Sequence, residues 1–347
     1  MGVGTGGVTS PPGLDLVALE RWLDVAAPGL LDGSLQAALV PGGKSNLTYR
    51  VSDGARTVIV RRPPLGHVLA TAHDMSREYR VISALQETPV PVPSTYAVCL
   101  NPDVLGAPFY VMSFVDGTPY RLAADLEALG PERTRHIGER LVDTMADLHT
   151  VDIEAVGLGD FGRPAGFLGR QVRRWGQQLD ASRSRDLAGV DRLREALAAR
   201  LPPEAPPAIV HGDYRLDNVL VTPADDIGAV VDWEMATLGD PLTDLAVLLT
   251  YHGIASLEEG RGVSTATRAA GFPTREDIAA RWSARTGRDL VQLPWHEALA
   301  CFKLAVILEG IHYRHARGQT VGEGFTGIGT MVEPLVRLGL QAIDQTG

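Results

Sequence analysis

Residues 209–221 read IVHGDYRLDNVLV, which places a polar turn between two short apolar ends. The ends are rich in β-branched residues and predict two short strands, whereas the middle predicts a turn. Burying a polar group without a partner costs roughly 2–7 kcal/mol. A cluster of such groups between two strands therefore indicates either a structural turn in which each polar group has a hydrogen-bond partner, or a functional site. Its members are His211, Asp213, Arg215, Asp217 and Asn218.

The composition of the 347 residues is that of a globular protein, with 45% hydrophobic and 21% charged residues. The formal net charge is −10, and no basic block is present to neutralise phosphates, so we expect no nucleic-acid partner. Cys99 and Cys301 give neither a disulfide framework nor a zinc site, which predicts a cytoplasmic protein. The N-terminus does not resemble a signal peptide, and no apolar stretch is long enough to span a bilayer, so we expect no membrane association. The oligomeric state stays open.

The order of predicted elements divides the chain into a tail and two lobes. Residues 1–12 contain almost nothing to bury and predict a disordered tail. Residues 13–115 combine a helix, an antiparallel meander, a second helix and a further strand. Residues 116–347 are mainly helical, apart from the strand-like segments AIVHGD, NVLV and IGAVVDWE. The sequence therefore predicts an α+β fold with a small antiparallel β lobe and a larger, mainly helical lobe.

Three motifs match known site patterns only in part. GVGTGG (2–7) satisfies G-x-G-x-x-G but lies in the tail instead of between a strand and a helix. PGGKSN (41–46) lacks the first glycine of a Walker A loop and precedes a strand. EGIHYRH (309–315) has no third-ligand pattern for zinc, so we expect a partly buried polar helix face there. A serine hydrolase is also disfavoured, because the chain has no G-x-S-x-G segment.

Asp213 and Asn218 are five positions apart, and Asp232 follows fourteen positions later in VVDWE. Phosphoryl transfer needs such a set: one carboxylate orients and deprotonates a hydroxyl, while a second carboxylate and an amide oxygen hold Mg²⁺ against the nucleotide's phosphates. Protein kinases have the same Asp-to-Asn interval in their catalytic loop, followed by a further aspartate at a strand end. The spacing therefore favours Mg²⁺-dependent phosphoryl transfer.

The turn PGGKSN in the predicted N-terminal lobe is a candidate phosphate flap. It lies between two predicted strands and contains Gly42, Gly43, Ser45 and Asn46. Backbone N–H groups in such a turn can face phosphate oxygens. Ser45 and Asn46 either contact phosphate or serve the turn alone, because asparagine is common in tight turns.

The third predicted strand carries VIVRR at the place where kinases have a lysine that pairs with a helix glutamate. Here Arg61 or Arg62 must replace that lysine, and Glu78 on the following helix is the expected partner. Arginine is always charged and can hold a carboxylate or a phosphate with two donors. Strand alternation puts the two arginines on opposite faces without identifying the inner one. We favour Arg61 on its motif position.

HGDYRLDN and VVDWEMATLGDPLTDLA, together with GGKSNLTYRV, REYRVISAL and FYVMSFVDG, resemble the aminoglycoside phosphotransferase-type branch of the kinase-like fold. The resemblance covers roughly residues 35–340. The arginine and the following RRPP are similar to a subgroup that includes kinase-like domains fused to some acyl-CoA dehydrogenases. The resemblance implies a bilobal protein-kinase-like fold, ATP or GTP as co-substrate, Mg²⁺, and phosphate transfer to a small-molecule hydroxyl.

The same resemblance implies roles for individual residues. Asp213 is then the catalytic base, and Asn218 and Asp232 bind the metal ion. The backbone at Ser113 and Val115 receives the adenine. These roles depend on the match between the motifs and the family, and not on spacing alone.

Three neighbours of these residues have both a structural and a functional interpretation. His211 is expected to brace the loop through hydrogen bonds. Arg215 either pairs with a nearby carboxylate or meets substrate phosphate. Glu234 stands two positions after the aspartate of VVDWE, so on a regular strand both side chains share one face and Glu234 can support the metal site. The aspartates of GDPLTDLA are predicted to cap the next helix and to brace the catalytic loop.

The phosphate acceptor stays open between an aminoglycoside-like and a hydroxyacyl-CoA-like molecule. The basic segment GRQVRRWGQQ (169–178) favours an anionic acceptor, whereas the net charge of −10 favours a cationic one. The missing strand lysine raises a second hypothesis, a catalytically weak kinase-like module that binds nucleotide or metabolite. A metal-dependent hydrolase is a third hypothesis, and it fits poorly with the glycine flap and the Arg–Glu pair.

Overall fold

A computed structural model describes residues 10–41, 46–65, 74–255, 264–319 and 327–346. Within these ranges the helices are α1 Leu16–Ala26, α2 Met75–Leu85, α3 Ala123–Glu127, α4 Pro131–Thr150, α5 Phe167–Ser182, α6 Val190–Ala199, α7 Leu242–Ile254, α8 Arg275–Thr286, α9 Leu293–Ala316 and α10 Val332–Ile343. The strands are β1 Gln36–Leu39, β2 Leu47–Ser52, β3 Thr57–Arg62, β4 Thr95–Cys99, β5 Phe109–Ser113, β6 Ala208–Val210, β7 Val219–Val221, β8 Ile227–Val230 and β9 Thr237–Gly239.

The chain divides into two compact units. Unit 1 comprises Met1–Asp116 and Ala229–Glu234, and unit 2 comprises Gly117–Gly228 and Met235–Gly347. The segment that carries Asp232 therefore returns to unit 1, although most of the chain around it belongs to unit 2.

Unit 1 is built on an antiparallel sheet of five strands in the order β1-β2-β3-β5-β4. Helix α1 contributes Leu19 and Leu23 to a core that also contains the buried side chains of Tyr49, Val51 and Val60. Helix α2 contacts β4 and β5. Because side chains alternate along a strand, successive residues of β3 lie on opposite faces of this sheet.

Both helices of unit 1 begin at an aspartate cap. Asp15 accepts hydrogen bonds from the first-turn N–H groups of α1, and Asp74 does the same for α2. Such caps satisfy donors that have no partner within the helix. The buried stripe of α2 contains apolar side chains and also Glu78, which is 1% exposed.

Unit 2 is organised around α9, a helix of 24 residues that packs on α5, α7 and α10. Helix α4 packs on α8, and the short strands β6 and β9 pair antiparallel, with Ile209 opposite Leu238. The main core joins apolar side chains of α5, α6, α9 and α10. Within the described ranges, every helix is too short or too polar to span a lipid bilayer.

The predicted α+β class is confirmed: an antiparallel sheet of five strands precedes a mainly helical part. The apolar ends of IVHGDYRLDNVLV form β6 and β7, as predicted. Strands β4 and β9 were not predicted from the sequence. Both are short, and the proline run PVPVP before β4 obscures the strand pattern. Residues 1–9 of the predicted tail lie outside the described residues.

Candidate active site

Arg61 lies on the face of the sheet that carries α2. Its Nε donates to Glu78 Oε2 at 2.9 Å, and the two side chains are 11% and 1% exposed. Its Nη1 donates to Thr48 Oγ1 at 3.2 Å, and its Nη2 donates to Asp232 Oδ1. One guanidinium therefore joins a helix carboxylate to the aspartate of VVDWE within unit 1.

Arg62 lies on the opposite face of β3. Its Nη1 donates to the carbonyl oxygen of Gly13 and, at 2.7 Å, to that of Leu105. These bonds anchor the segment before α1 and the loop before β5. The geometry thus distinguishes the two arginines that the sequence left open, because only Arg61 meets Glu78.

Glu78 is the centre of a buried polar network. Asn46 Nδ2 donates to Glu78 Oε1 at 3.1 Å and to Glu234 Oε2 at 3.0 Å, and the Tyr110 hydroxyl donates to Glu78 Oε2 at 3.1 Å. Burial raises the pKa of Glu78, and the nearby Arg61 opposes this shift. The side-chain amide of Asn46 thus donates to two carboxylates and braces them. The sequence did not predict these two hydrogen bonds.

Asp232 has a left-handed backbone, with φ at 69°. Among the described non-glycine residues, only Asp225 shares a positive φ. The segment is anchored by a hydrogen bond from Val230 N–H to the Pro91 carbonyl at 2.8 Å, and by Trp233, whose Nε1 donates to the Val230 carbonyl at 3.0 Å. Such strained positions persist where the surroundings fix them and are frequent at functional sites.

The expectation that Asp232 and Glu234 share one face of a regular strand is wrong. Strand β8 ends at Val230, and Trp233–Met235 form a 3₁₀ turn. The left-handed residue before this turn breaks the strand alternation. Glu234 still reaches the network around Glu78, but it does so through Asn46.

Asp213 follows β6 in unit 2 and is joined to Asn218 across a 3₁₀ turn. Asn218 Nδ2 donates to the Asp213 backbone carbonyl at 2.8 Å and to Asp213 Oδ2 at 3.0 Å. The Asp213 N–H donates to His211 Nδ1 at 3.3 Å, so His211 braces the loop as predicted from its position. Because the amide nitrogen of Asn218 is bound to Asp213, its oxygen points away from that residue.

Arg215 lies between two carboxylates. Its Nε is 3.4 Å from Asp213 Oδ2, and its Nη1 is 3.3 Å from Asp217 Oδ2. Its guanidinium also stacks over the ring of Tyr251, 4.7 Å from the centroid. Arg121 Nε approaches the same Asp217 oxygen at 3.1 Å. Two guanidinium groups therefore meet at Asp217, and that of Arg215 also contacts the candidate base, Asp213.

Asp244 on α7 braces the loop that carries the candidate base, as the sequence predicted. It is fully buried, and it accepts hydrogen bonds from His211 N–H at 2.6 Å and Gly212 N–H at 2.8 Å. Burial alone would raise the pKa of Asp244, but the bonds from His149 and the backbone hold it below its ordinary value. The predicted capping role belongs to Asp240, whose Oδ1 accepts from Leu242 N–H at 3.0 Å.

Lys303 on α9 is a site residue that the sequence interpretation missed. It is 5% exposed, and its Nζ donates to the backbone carbonyl of Gly212, next to Asp213. It lies 91 positions after Gly212, and no local motif marks it. The available signal was a lysine inside an otherwise apolar stretch, CFKLAVIL.

The remaining predicted nucleotide contacts are only partly described. Gly42, Gly43 and Ser45 lie outside the described residues. The Ser113 N–H already donates to the Ser94 carbonyl oxygen at 2.8 Å within unit 1. Val115 follows the end of β5. The adenine contact at these two positions stays a prediction.

The donor chemistry of the predicted metal ligands fits Mg²⁺, which prefers carboxylate and amide oxygens. Asn218 directs its nitrogen to Asp213, which leaves the oxygen for another partner, and Asp232 pairs with Arg61 through Oδ1. Across the ranges that the structure describes, no three His, Cys, Asp or Glu side chains are grouped so as to hold a metal ion.

Residues 36–289 match the model of the phosphotransferase enzyme family, APH. Acyl-CoA dehydrogenase family member 11 of Rattus norvegicus is 32% identical over 345 residues, which cover 96% of this chain and 44% of that protein. The chain thus spans less than half the length of this curated relative.

Solved structures share the fold. A protein from Ralstonia eutropha with a provisional assignment as an aminoglycoside phosphotransferase has a TM-score of 0.83 and 32% identity, over 95% of this chain and 98% of that one. An aminoglycoside phosphotransferase solved with streptomycin and ATP has a TM-score of 0.57, over 85% and 90% of the two chains. At 13% identity, that second similarity supports the fold alone.

Proposed function

Because the chain belongs to the phosphotransferase enzyme family, we propose that it transfers the γ-phosphate of ATP or GTP to a hydroxyl group of a small molecule in a Mg²⁺-dependent reaction. The observation that carries this proposal is the contact of Arg61 with both Glu78 and Asp232. Kinases use a cation at this place in the β lobe, paired with a helix glutamate, to position phosphates. Arginine can do the same with several donors at once.

In unit 1 the proposed nucleotide contacts come from the flap, from Arg61 on β3 and from the end of β5. The backbone at Gly42, Gly43 and Ser45 cradles phosphate oxygens, and Arg61 neutralises their charge. The backbone at Ser113 and Val115 receives the base. Asn46, Glu78 and Glu234 keep the guanidinium of Arg61 in place, because their hydrogen bonds and charges surround it.

In unit 2 Asp213 is the proposed catalytic base. Its carboxylate orients the acceptor hydroxyl and takes its proton as the phosphoryl group moves, and proton acceptance by a positioned side chain typically contributes about 10²–10⁴-fold to the rate. Arg215 and Asn218 both contact Oδ2 of this carboxylate and so restrict its orientation. His211 fixes the loop through the Asp213 N–H.

Asn218 and Asp232 are the proposed Mg²⁺ ligands. When bound, the ion would neutralise charge on the phosphate oxygens of the nucleotide. Asp232 must then exchange its contact with Arg61 for a contact with the metal, or share its two oxygens between them. Its left-handed backbone fixes the direction of the Cα–Cβ bond, and the contact with Arg61 restrains the carboxylate.

For the acceptor we favour an anionic, hydroxyacyl-CoA-like molecule over an aminoglycoside. Arg215 contacts the proposed base, and Arg121 reaches the neighbouring Asp217, to which Arg215 also pairs. The charge of these two guanidinium groups opposes the approach of a polycation. Arg173 and Arg174 on α5 are exposed and add to this positive charge. The relative named as an acyl-CoA dehydrogenase family member is compatible with such an acceptor.

The same Arg61–Asp232 contact favours a second candidate function, a module that binds nucleotide or metabolite with little turnover. A carboxylate that stays paired with arginine is less available to Mg²⁺. In this alternative, nucleotide binds through Arg61, but added alcohols do not accelerate its hydrolysis.

Two measurements test the proposal. Thermal unfolding with ATP or GTP, with and without Mg²⁺, measures binding, because a ligand that binds only the folded state raises the midpoint. We expect a Mg²⁺-dependent rise that Asp232→Asn abolishes, with asparagine chosen because it tolerates a positive φ. Transfer of labelled γ-phosphate to hydroxyacyl-CoAs and to kanamycin then measures activity. We expect labelling of a hydroxyacyl-CoA that Asp213→Asn removes; binding without any transfer would favour the second candidate.

A further inference from the structure

Lys303 is a buried cation in an apolar part of unit 2. Its neighbours along α9, Phe302 and Leu304, are buried, and the face of Trp175 lies 5.7 Å from its ammonium nitrogen. Burying an ammonium group is unfavourable unless it finds strong partners. Burial lowers the pKa of Lys303, and the nearby carboxylates of Asp213 and Asp244 oppose this shift.

The choice of lysine at this position is itself informative. The chain has 32 basic residues, and only Lys44 and Lys303 are lysines. The general preference of the sequence for arginine therefore does not explain residue 303. An ammonium group is a compact point donor, which suits a single acceptor in a confined space, whereas a guanidinium is a broad planar fork.

The hydrogen-bond acceptor of Lys303 is the carbonyl oxygen of Gly212, which directly precedes Asp213. The N–H of the same glycine donates to Asp244 at 2.8 Å. Gly212 has φ at 85°, and a Cβ there would lie 2.7 Å from the Met235 carbonyl oxygen. Gly212 is therefore held at its N–H by Asp244 of α7 and at its C=O by Lys303 of α9. The backbone of Met235 also lies against it.

We infer that Lys303 is a positioning residue for Asp213: it fixes the Gly212 peptide from α9 and so sets the direction of the catalytic carboxylate without contacting substrate. This inference rests on the proposed function, since it requires Asp213 to be the base. A displacement of about 1 Å in a catalytic group can lower the rate about 10²-fold. A peptide held at both polar groups prevents such a displacement.

The test compares Lys303→Met, which keeps the length of the side chain and removes its donor, with Lys303→Arg, which keeps donor and charge. With Mg²⁺ and ATP, and water as acceptor, we expect Lys303→Met to lower kcat about 10²-fold. The KM for ATP should stay within about twofold. The arginine variant should recover only part of the loss, because it keeps the charge and a donor but not the compact shape of the ammonium group. In an Asp213→Asn background, Lys303→Met should have no further effect, because it acts through Asp213.

Three results would overturn the inference. The first is an unchanged kcat in Lys303→Met, and the second is a further loss of activity in the Asp213→Asn background. The third is a loss of activity accompanied by a parallel fall in melting temperature and nucleotide binding. If the wild type has no Asp213-dependent turnover, the proposed function fails. Hydrogen exchange then tests whether Lys303 holds the Gly212 peptide in place. We expect amide exchange in residues 209–221 to be at least about tenfold faster in Lys303→Met than in the wild type, and intermediate in Lys303→Arg. Exchange in Lys303→Met as slow as in the wild type would refute the brace.

Discussion

The indole of Trp282 sets the tautomer of His149. Trp282 Nε1–H donates to His149 Nδ1 at 2.9 Å, and an indole nitrogen can only donate. His149 Nδ1 is therefore an acceptor, and the ring proton of the neutral form lies on Nε2, 3.2 Å from Asp244 Oδ2. A chain of hydrogen bonds thus runs from α8 through α4 to the carboxylate that holds the loop of residues 211–218.

Asp244→Ala should strongly destabilise the protein. The substitution leaves the N–H groups of His211 and Gly212 buried without an acceptor, and each such group costs about 1–3 kcal/mol. We expect the free energy of unfolding, measured by urea denaturation, to fall by about 2–6 kcal/mol. Asp186→Ala is the matched control, since this side chain is 97% exposed, and it should change stability by less than about 0.5 kcal/mol. Equal effects of the two substitutions would contradict the brace.

The low pKa of Asp244 predicts how stability depends on pH. Its carboxyl binds a proton less readily in the folded state than in the unfolded chain, so ionisation of Asp244 stabilises the fold above its unfolded pKa of 3.8. This contribution is lost as pH falls through the lower folded value. We therefore expect the free energy of unfolding to decrease as pH falls below about 4, and Asp244→Asn to reduce this decrease. Denaturation curves between pH 3 and pH 7, at intervals of about half a unit, measure both slopes. An identical slope in the variant would argue against the assignment.

The sequence predicted the groups within the turn of residues 211–218, and the motif that contains Asp244 indicated the brace that lies further along the chain. Asp213 and Asn218 are joined within one turn, and His211 and Asp244 brace that turn as their motif positions indicated. Short-range spacing is sufficient here because strand β6 and the 3₁₀ turn fix the directions of the side chains.

The contacts that the sequence did not predict depend on packing between elements that are distant along the chain, or on local backbone geometry. Periodicity places Arg61 and Arg62 on opposite faces of β3, but only the positions of α1 and α2 decide which face meets Glu78. Lys303 reaches the loop because α9 packs on α7, and no local pattern in α9 reports this contact. Asp232 breaks the expected strand because its φ is positive, which no alternation rule predicts.

Arg61→Ala should destabilise unit 1 and weaken nucleotide binding. It leaves Glu78, which is 1% exposed, without its cation, and removing one partner of a buried ion pair typically costs about 3–5 kcal/mol. We expect a loss of this size in urea denaturation and a smaller thermal shift with Mg²⁺ and ATP. Adding Glu78→Gln should restore part of the stability but none of the binding, because the buried charge is gone while the phosphate partner is still missing. A double variant no more stable than Arg61→Ala would show that Glu78 is not the group left unpaired.

Gly212→Ala should have a larger effect than the same change at another glycine with positive φ. Gly54 has φ at 93°, and no atom lies within 4 Å of the place that a Cβ would take there, so Gly54→Ala should cost only the backbone strain, about 1–2 kcal/mol. At Gly212 the new methyl group would also meet the Met235 carbonyl oxygen at 2.7 Å. We expect Gly212→Ala to lose more stability than Gly54→Ala and to lose phosphotransfer, whereas Gly54→Ala stays active. Similar losses in both variants would mean that the loop can move away from Met235.

Lysine-specific NMR should report the environment of Lys303 directly, because the chain contains two lysines. Labelling with ¹³C at lysine Cε gives one resonance for each, and Lys44→Arg assigns them. Burial lowers the pKa of Lys303, so its Cε resonance should titrate below the ordinary lysine value of about 10.4. The charged groups around it are Asp213 and Asp244, which favour the ammonium form, and Arg174 and Arg215, which oppose it. Asp213→Asn should therefore lower this pKa further. A Lys303 resonance that titrates like a free lysine, or that ignores Asp213→Asn, would place the ammonium group in solvent and away from the catalytic loop.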